Sequence, residues 1–548
     1  MTQNNPPTSV LLKDEWEQDV PRKFIDEDFV AVRRTATSSG KPFLTLAFGD
    51  EVEVIPDPQS NHLGFTKVRA LTYFDGTAEG FIVGNPPLRD EGILKMSMVD
   101  VQQGDGLVLE FGDRIVLIDG GDNKLFARHV AARFQYRASS EANPLEIEAI
   151  IITHGDADHF DGLNEIRRSE TLPDKDARKR LFIRPKRVFH NGLVKSPTKK
   201  NNVTVAEGDR FGRTVVDGDD LIAIDLVDDP RDFAPEDRSA PFQRWCDSLD
   251  HWENLHGPIE MKRVAFGMNE EDLFGFLHDD GVNIELQGPF ETAALDPATN
   301  DTVPGLAYYN KPKKSAVLHL EQGQSTGGPS ASHTINGHSI TFRMTFGNVR
   351  FAFTGDQNKD SMERMLQEVG EENLEAEIVK APHHGSHEFD FRALKAMKPI
   401  VALVSSGDED TFHEHIHPRA TLMAALGKAM RLDTGVIFSA ELAAFFHMRD
   451  LSHQREALKK YFDEHETDTF TKEEVKKLFV GKLDDGDPDA FFGFERTNFG
   501  IVHIRTDGER VLVFTHSGKE GLNEAYRFTV SIVNGSHSVV FAPTVVTR

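Results

Sequence analysis

The chain has 548 residues, enough for two to four domains, and its 62 Lys and Arg residues against 89 Asp and Glu residues give a formal net charge of −27 at pH 7. That balance argues against indiscriminate nucleic-acid binding, which needs a broad basic surface, although metal ions or a local basic groove could still attract such a substrate. The single cysteine, Cys246, excludes an internal disulfide and fits a reducing compartment. No apolar run has the length of a membrane-spanning helix and no signal peptide is indicated. We therefore expect a cytoplasmic protein with no membrane partner.

The first predicted elements are short strands. Residues 1–22 are polar and contain prolines, which indicates a flexible tail. From residue 24 to 90, alternating apolar residues and turn pairs such as Gly49-Asp50 predict antiparallel strands and hairpins. The stretches LAFGDEVEVI and DGTAEGFIVGNPPL resemble an SH3-like barrel, with Phe65 where a tryptophan is expected. This resemblance implies a small adaptor barrel through which a protein partner could bind.

The signals change to α/β between about residues 95 and 450. Ile147–Thr153 is an apolar run typical of a buried strand in a covered sheet. The acidic segment 193–335 is long and irregular, and we interpret it as an insertion that either walls one side of an active site or is a surface elaboration. Arg178–Lys200 is a local basic patch, which we interpret first as a solvated basic loop. The final range, 451–548, predicts an α+β extension with a helix at Lys472–Phe479 and strands near Phe499–Arg505 and Arg510–Thr515.

The most informative segment is Ile151–Leu163, with the sequence IITHGDADHFDGL. Four potential ligands, His154, Asp156, Asp158 and His159, follow the predicted strand within six residues. Such a density of imidazole and carboxylate at the end of a strand predicts a two-metal site, with Gly155 and Gly162 allowing tight turns. The alternative is a polar surface loop with capping aspartates.

This segment resembles the HxHxDH signature of the metallo-β-lactamase superfamily, with Asp156 in place of the second histidine. The variant is similar to the hydrolase domain of the ComEC family of DNA-uptake channels and to related phosphorylcholine esterases. Further blocks agree in the same order: DVQQGDG at Asp100–Gly106, IVLIDGG at Ile115–Gly121, NGHS and FAFTGD within Asn336–Asp356, APHHGS at Ala381–Ser386, VSSG at Val404–Gly407, and His417-Pro418. The resemblance implies an α/β fold, the αββα sandwich of that superfamily, between an N-terminal small β-barrel and a C-terminal α+β extension.

The resemblance also implies roles for individual residues. One metal would be held by His154, Asp156 and His190, and the other by Asp158, His159 and His384, with Asp356 bridging the two. His383 would stabilise developing charge or protonate the leaving group. Asp119 would orient a ligand histidine, as such carboxylates do, and His417 would lie near the substrate.

Two divalent metal ions, zinc or manganese, are therefore the expected cofactors, and the oxygen ligand Asp156 shifts the preference toward manganese. We predict a hydrolase that uses a two-metal-activated water on a phosphodiester, either a small molecule or a nucleic acid. Hydrolysis of an ester, lactone or lactam is the first alternative, because the fold supports both reactions. A non-enzymatic, metal-bound binding module is the second. DNA uptake is not carried over, because no membrane segment is predicted.

Overall fold

The computed structural model describes residues 22–39, 42–72, 76–137, 139–311, 327–407, 417–432, 434–440, 501–516 and 522–542. The predicted tail before residue 22 and the predicted helix Lys472–Phe479 lie outside these residues. Within them the chain is a mixed α/β protein, which confirms the α/β part of the predicted fold class. No helix in the described ranges is long and apolar enough to cross a membrane.

The N-terminal region forms a seven-stranded antiparallel sheet with its own apolar core. Its elements are, in chain order, β1 (Arg22–Ile25), β2 (Phe29–Arg33), β3 (Pro42–Ala47), β4 (Glu51–Val54), α1 (Pro58–His62), β5 (Phe65–Thr72), β6 (Gly76–Val83) and β7 (Leu88–Arg89). The strand order is β3-β2-β6-β5-β4-β1-β7. Side chains of β2 alternate between the core and the outer face, as expected for a sheet with one covered face. The SH3-like character of this sheet stays a prediction.

Two larger sheets carry most of the remaining described residues. The first begins with β8 (Leu94–Met98), β9 (Gly106–Phe111), β10 (Arg114–Asp119), α2 (Lys124–Arg133), β11 (Leu145–Ile147), β12 (Ala149–Ile151), α3 (Ala157–Ser169), β13 (Ile183–Pro185) and β14 (Arg187–His190). Strands β10, β12 and β14 run parallel, so their carboxyl ends meet at one edge of the sheet. Almost every side chain of β10 and β12 is buried, which is the pattern of strands covered on both faces.

The range predicted as an irregular insertion consists, in its described residues, largely of helices and strands, and one of these strands joins each large sheet. These are β15 (Lys199–Lys200), β16 (Val203–Thr204), β17 (Thr214–Asp217), β18 (Asp220–Ala223), α4 (Ala240–His256), β19 (Glu260–Arg263), α5 (Glu270–Phe274), β20 (Val282–Gly288), β21 (Thr292–Leu295), β22 (Thr302–Ala307) and α6 (Ala331–Gly337). Strand β19 extends the first sheet beside β14. Trp245 and Trp252 of α4 are buried against the first sheet and its helices, so this helix is part of the core.

The second large sheet has the strand order β20-β23-β24-β25-β26-β27. Its further elements are β23 (Thr341–Phe346), β24 (Val349–Phe353), α7 (Lys359–Val369), β25 (Ile378–Lys380), α8 (Phe391–Met397), β26 (Val401–Val404), α9 (Ala420–Ala429) and β27 (Val436–Ser439). Strands β24 to β27 are parallel. Their carboxyl ends therefore share one edge, as those of the first sheet do.

The C-terminal strands complete the first sheet. They are β28 (Ile501–Thr506), β29 (Arg510–His516), β30 (Leu522–Val533) and β31 (Ser536–Ala542). Strand β28 pairs with β8 in the register Val502↔Met98, which gives the ten-stranded order β19-β14-β12-β10-β9-β8-β28-β29-β30-β31. These strands also contact the N-terminal sheet: Arg505 Nη1 donates to Phe48 O at 2.9 Å, and Phe48 packs in one apolar cluster with Phe514.

Apolar side chains fill three spaces between four layers. One cluster lies between the two sheets, a second between the first sheet and helices α2 to α4, and a third between the second sheet and helices α7 to α9. The order of layers is helix, sheet, sheet, helix. At the shared edge, Ile340 N–H donates to Thr153 O at 2.7 Å. This contact brings the strand ends of the two sheets together, and the polar residues that follow those ends form one site.

Candidate metal centre

The segment from His154 to His159 connects the end of β12 to the first turn of α3. His154 and His159 are fully buried. Asp156 occupies the N-cap position of α3, but its side chain makes no capping hydrogen bond. It pairs instead with Lys195 Nζ. The interpretation of this segment as a surface loop with capping aspartates therefore does not describe Asp156.

The two glycines of this segment serve close packing rather than tight turns. Neither Gly155 nor Gly162 has a positive φ. A Cβ at Gly162 would lie 2.0 Å from Gly120 O, and one at Gly155 would lie 2.4 Å from Phe242 Cζ. The predicted role of these glycines was wrong, because what they permit is the approach of α3 to the neighbouring backbone and of α4 to the loop.

Asp119, the last residue of β10, holds the ring of His159. Its Oδ2 accepts from His159 Nδ1 at 2.8 Å, and its Oδ1 accepts from Thr153 N–H at 2.8 Å. Because a carboxylate faces Nδ1, this nitrogen carries the proton, and Nε2 of the neutral ring presents a lone pair. Such a carboxylate–histidine pair is typical of metal sites, where it fixes the ring orientation and raises ligand basicity.

Asp105, which immediately precedes β9, makes a matching contact to His384. Its Oδ1 lies 3.2 Å from His384 Nδ1, and its Oδ2 pairs with the buried ammonium of Lys380. Lys380 Nζ also donates to Gly355 O at 3.0 Å. Both carboxylate oxygens of Asp105 are thus directed at cationic or N–H groups. We conclude that Asp105 orients His384, as Asp119 orients His159.

The two oriented rings converge on Asp356. His159 Nε2 and His384 Nε2 lie 3.1 Å apart. Asp356 Oδ1 is 3.3 Å from His159 Nε2, and Asp356 Oδ2 is 3.0 Å from His384 Nε2. With Asp105, ligand atoms of these residues lie within 4.8 Å of one another. Two imidazole lone pairs and a carboxylate that meet in a buried space repel unless a proton or a metal cation lies among them, and these donors are ones that zinc and manganese accept.

The pKa values of the two histidines also indicate that this cluster favours a positive charge. Burial alone would lower the pKa of His384, but the carboxylates of Asp356 and Asp105 outweigh it and raise this pKa to about 9. Burial also opposes the charged form of His159, yet Asp356 and Asp119 hold its pKa well above the ordinary value. The carboxylates therefore draw protons onto the rings, which means that the residues present fit a divalent cation.

The histidines of the PHHGS block adopt a strained backbone. His383 and His384 have φ values of +48° and +52°, in the left-handed region that non-glycine residues rarely occupy. Each such residue costs about 1–3 kcal/mol, and residues of this kind cluster at functional sites. His383 N–H donates to Gly355 O at 3.1 Å. This turn directs the two rings differently, so that only His384 reaches the convergence point.

The remaining residues predicted near this point lie around it. Asp158 Oδ2 is 3.7 Å from His384 Nε2 and accepts from Gln103 Nε2 at 3.4 Å. His383 Nε2 is 3.7 Å from Asp356 Oδ2. The ring of His417 is 5.9 Å from that of His383. Burial lowers the pKa of His383 to about 4, so this ring is neutral near pH 7.

His190 is not brought into the cluster. It ends β14, where its Nε2–H donates to Asp228 O at 2.6 Å and its Nδ1 accepts from Gly192 N–H at 3.2 Å. Both ring nitrogens are therefore engaged by backbone groups. Neither nitrogen is therefore available for the metal-ligand role that was predicted for His190.

The basic segment from residue 178 to 200 is largely neutralised by acidic neighbours. Ion pairs join Lys179 to Asp176, Arg180 to Asp174, Arg184 to Glu146, Lys186 and Arg187 to Glu148, and Lys200 to Asp237. Paired side chains of this kind do not form a strong polyanion groove, which favours the interpretation as a solvated surface.

Sequence reasoning missed Asp105 and Lys380 as members of the site. Two signals were available. Asp105 lies in the DVQQGDG block directly before a strand that pairs with β10. Lys380 is a charged residue in the otherwise apolar strand Ile378–Lys380, and it is 2% exposed. A buried lysine is rarely found without a partner, which would have marked it as part of a charged site.

One comparison with known proteins covers part of this site. The family model of the metallo-beta-lactamase superfamily matches residues 99–220, which include Asp105, Asp119 and the segment from His154 to His159. Asp356 and His384 lie beyond the matched range. No curated protein matches the chain. Members of the superfamily are generally hydrolases that bind divalent metals. The chain therefore carries a metallo-beta-lactamase superfamily domain at residues 99–220.

Proposed function

We propose that this protein is a metal-dependent hydrolase of phosphodiesters that binds two divalent cations. The observation that carries the proposal is the convergence of His159 Nε2, His384 Nε2 and the Asp356 carboxylate in a buried space. Three polar groups so close together are costly to bury unless a charge compensates them. A bound cation supplies that compensation and explains why Asp119 and Asp105 orient the two rings.

The ligands divide into two groups that share Asp356. His159, His384 and Asp158 would hold one cation, and His154 and Asp156 would take part in holding the other. When bound, such a pair of cations supplies a water that ionises near neutral pH and positive charge for the oxygens of the reacting group. The carboxylate-rich ligand set suits manganese as well as zinc.

The chain's own residues then position the substrate. His383 lies beside Asp356, and its side chain is 20% exposed, so it can meet a substrate at the mouth of the site. Its neutral ring can donate one hydrogen bond, which favours stabilisation of developing negative charge over transfer of a proton. The ring of His417, next to that of His383, extends the same wall. Burial raises the pKa of Asp156 and the Lys195 ammonium opposes this effect, so a cation already faces this ligand.

The substrate class rests on charge. A phosphodiester carries one negative charge, and oxygen-rich ligand sets with imidazole neighbours are suited to holding it next to metal cations. The neutralised basic segment and the net charge of −27 disfavour a long polyanion, so a small diester or the end of a nucleic acid fits better than a continuous duplex.

The proposal is tested on the full-length protein, stripped of metal and reloaded with Mn²⁺ or Zn²⁺. We expect elemental analysis to give about two ions per chain, and a bis-aryl phosphodiester to be hydrolysed faster than an aryl ester, a lactone or a chromogenic lactam. A preparation kept in chelator is the control. Faster hydrolysis of a lactone would favour the alternative substrate class. Two bound metals with no turnover of any substrate would favour a binding module, and absence of bound metal would reject the metal centre itself.

A further inference from the structure

Asn336 lies beside His154 and Asp156, the two residues with which His190 was predicted to hold a cation. It lies within α6, next to the last residue of that helix, it is 9% exposed, and it belongs to the NGHS block. Its side-chain amide sits between two groups of site residues. One end of the amide lies 3.0 Å from Asp156 Oδ2, 3.3 Å from His154 Nε2 and 3.1 Å from Ser332 O. The other end lies 3.3 Å from His383 Nε2.

The protonation of His154 follows from its neighbours. The hydroxyl of Ser339 donates to the backbone carbonyl oxygen of Asn336 at 2.8 Å. The hydroxyl of Thr153 donates to Asp119 Oδ2 at 2.7 Å. Both hydroxyls lie 3.3 Å from His154 Nδ1, and from that nitrogen they can only accept. The ring proton of His154 is therefore on Nδ1. His154 Nε2 presents a lone pair toward the Asn336 amide.

The near end of this amide is consequently surrounded by acceptors alone: an imidazole lone pair, a carboxylate oxygen and a backbone carbonyl. Two arrangements satisfy such a set. Either the amide nitrogen turns toward them and donates, or the amide oxygen turns toward them and all share a cation. In the second arrangement the amide nitrogen donates to His383 Nε2, so both ends of the amide are satisfied.

We propose that Asn336 Oδ1 is a ligand of the cation held by His154 and Asp156, in the position that His190 was expected to fill. This inference rests on the two-cation centre proposed above. An amide oxygen is a neutral, hard donor of the kind that manganese accepts. In the metal-free protein the same amide turns over and donates hydrogen bonds through its nitrogen, which keeps His154 and Asp156 in place.

The test measures metal binding rather than turnover. Metal-free wild-type protein and the variants Asn336→Ala, Asn336→Asp and His190→Ala are titrated with Mn²⁺, followed by the electron paramagnetic resonance of free Mn²⁺, and with Zn²⁺ against a chromogenic chelator. We expect Asn336→Ala to lower the affinity for one of the two ions by about tenfold or more and to leave the affinity for the other unchanged. Asn336→Asp keeps an oxygen donor and should retain both ions, as should the matched control His190→Ala.

The outcomes separate this inference from the function on which it rests. A wild-type protein that binds no metal rejects the centre as a whole. Two ions in the wild type, with unchanged affinity in Asn336→Ala, reject the ligand role of Asn336 alone. Loss of an ion in His190→Ala also rejects it, because the histidine would then be the ligand. Should Asn336→Ala unfold at a lower temperature, Asn336→Asp still decides, since a charged oxygen at this position without metal binding would contradict the proposal.

Discussion

The two halves of the candidate centre are built in different ways. In the carboxylate-braced half, His159 and His384 are held at Nδ1 by the buried carboxylates of Asp119 and Asp105. In the hydroxyl-braced half, His154 is held by Ser339 and Thr153, and Asp156 is shared with Lys195. A carboxylate increases the basicity of the ring that it orients, whereas a hydroxyl only positions it. We therefore expect the carboxylate-braced half to bind its cation more tightly and the hydroxyl-braced half to exchange its cation more readily.

The largest effect is expected where both halves meet. Asp356→Asn keeps the size of the side chain but removes the charge that both cations would share. Loss of several kcal/mol of transition-state stabilisation corresponds to a rate decrease of about a thousandfold or more. Hydrolysis of a bis-aryl phosphodiester, metal content and circular dichroism check this expectation. Asp113→Asn, at a side chain that is 76% exposed, is the control. A folded Asp356→Asn protein with wild-type turnover would remove Asp356 from the site.

The next comparison concerns the adjacent histidines. We expect His384→Ala to lower metal occupancy, because only this ring reaches the convergence point, and His383→Ala to lower turnover about a hundredfold with both metals retained. Both positions have a left-handed backbone, so alanine leaves the strain unchanged and the two variants are matched in fold. Elemental analysis and turnover are measured on each. The reverse pattern would exchange the two roles.

The pH dependence of metal binding should report the carboxylate-braced half. Without metal, Asp356 and Asp105 raise the pKa of His384 to about 9 against burial, and a cation must displace this proton. For this proton alone we expect the affinity to rise by about tenfold for each pH unit between 7 and 9 and then to level off. The rise should be steeper wherever His159, whose pKa is also raised, must release its proton to the same cation. The same raised pKa stabilises the metal-free fold below the unfolded-state value of about 6.5, and this stabilisation is lost as pH rises through 9. Thermal unfolding across this range measures it, and His384→Ala should show a flatter profile.

A smaller effect is expected from the bracing carboxylates themselves. Asp119→Asn and Asp105→Asn should each weaken one cation by about 10–100-fold, since groups that orient a ligand commonly have effects of this size. The second cation should be unaffected. Metal titration monitored by competition with a chelator gives both affinities. If these variants weakened the ion that the wild-type protein binds less tightly, the proposed difference between the halves would have the wrong sign.

The smallest effect concerns Lys195, which competes with a cation for Asp156. Lys195→Met keeps the aliphatic stem and removes the ammonium. Because a partly exposed ion pair contributes less than about 1 kcal/mol, we expect the cation of the hydroxyl-braced half to bind roughly threefold more tightly. Calorimetric titration can resolve this change. A decrease in affinity would mean that Lys195 positions Asp156 instead of competing for it.

The sequence predicted the residues of this site best where a candidate ligand directly follows one apolar strand. The mixed α/β class is confirmed, and the structure brings His159, Asp356 and His384 together at strand ends. Each of these residues follows an apolar run whose end could be read locally. Their assignment to one site came from the resemblance of the ordered motif blocks, and in the structure they share one edge because parallel strands present their carboxyl ends on the same side of a sheet.

The residues that were missed or misplaced depend on contacts between distant segments. His190 ends the expected strand, but the loop carbonyl of Asp228 binds its ring, and no local pattern encodes that contact. Asn336 reaches His154 and Asp156 only because α6 lies against the end of β12. Regular elements within 193–335 were not foreseen because the chain between them is acidic and lacks a clear period.

The pairing of β28 with β8 has a consequence for the order in which the molecule folds. Val502 pairs with Met98, and roughly 400 residues must be synthesised between them, which takes about 20–80 s at typical rates of translation. During that interval one side of β8 has no neighbouring strand, and open strand edges invite association with other chains. A nascent chain arrested before residue 501 should therefore engage chaperones more strongly than one released after residue 542.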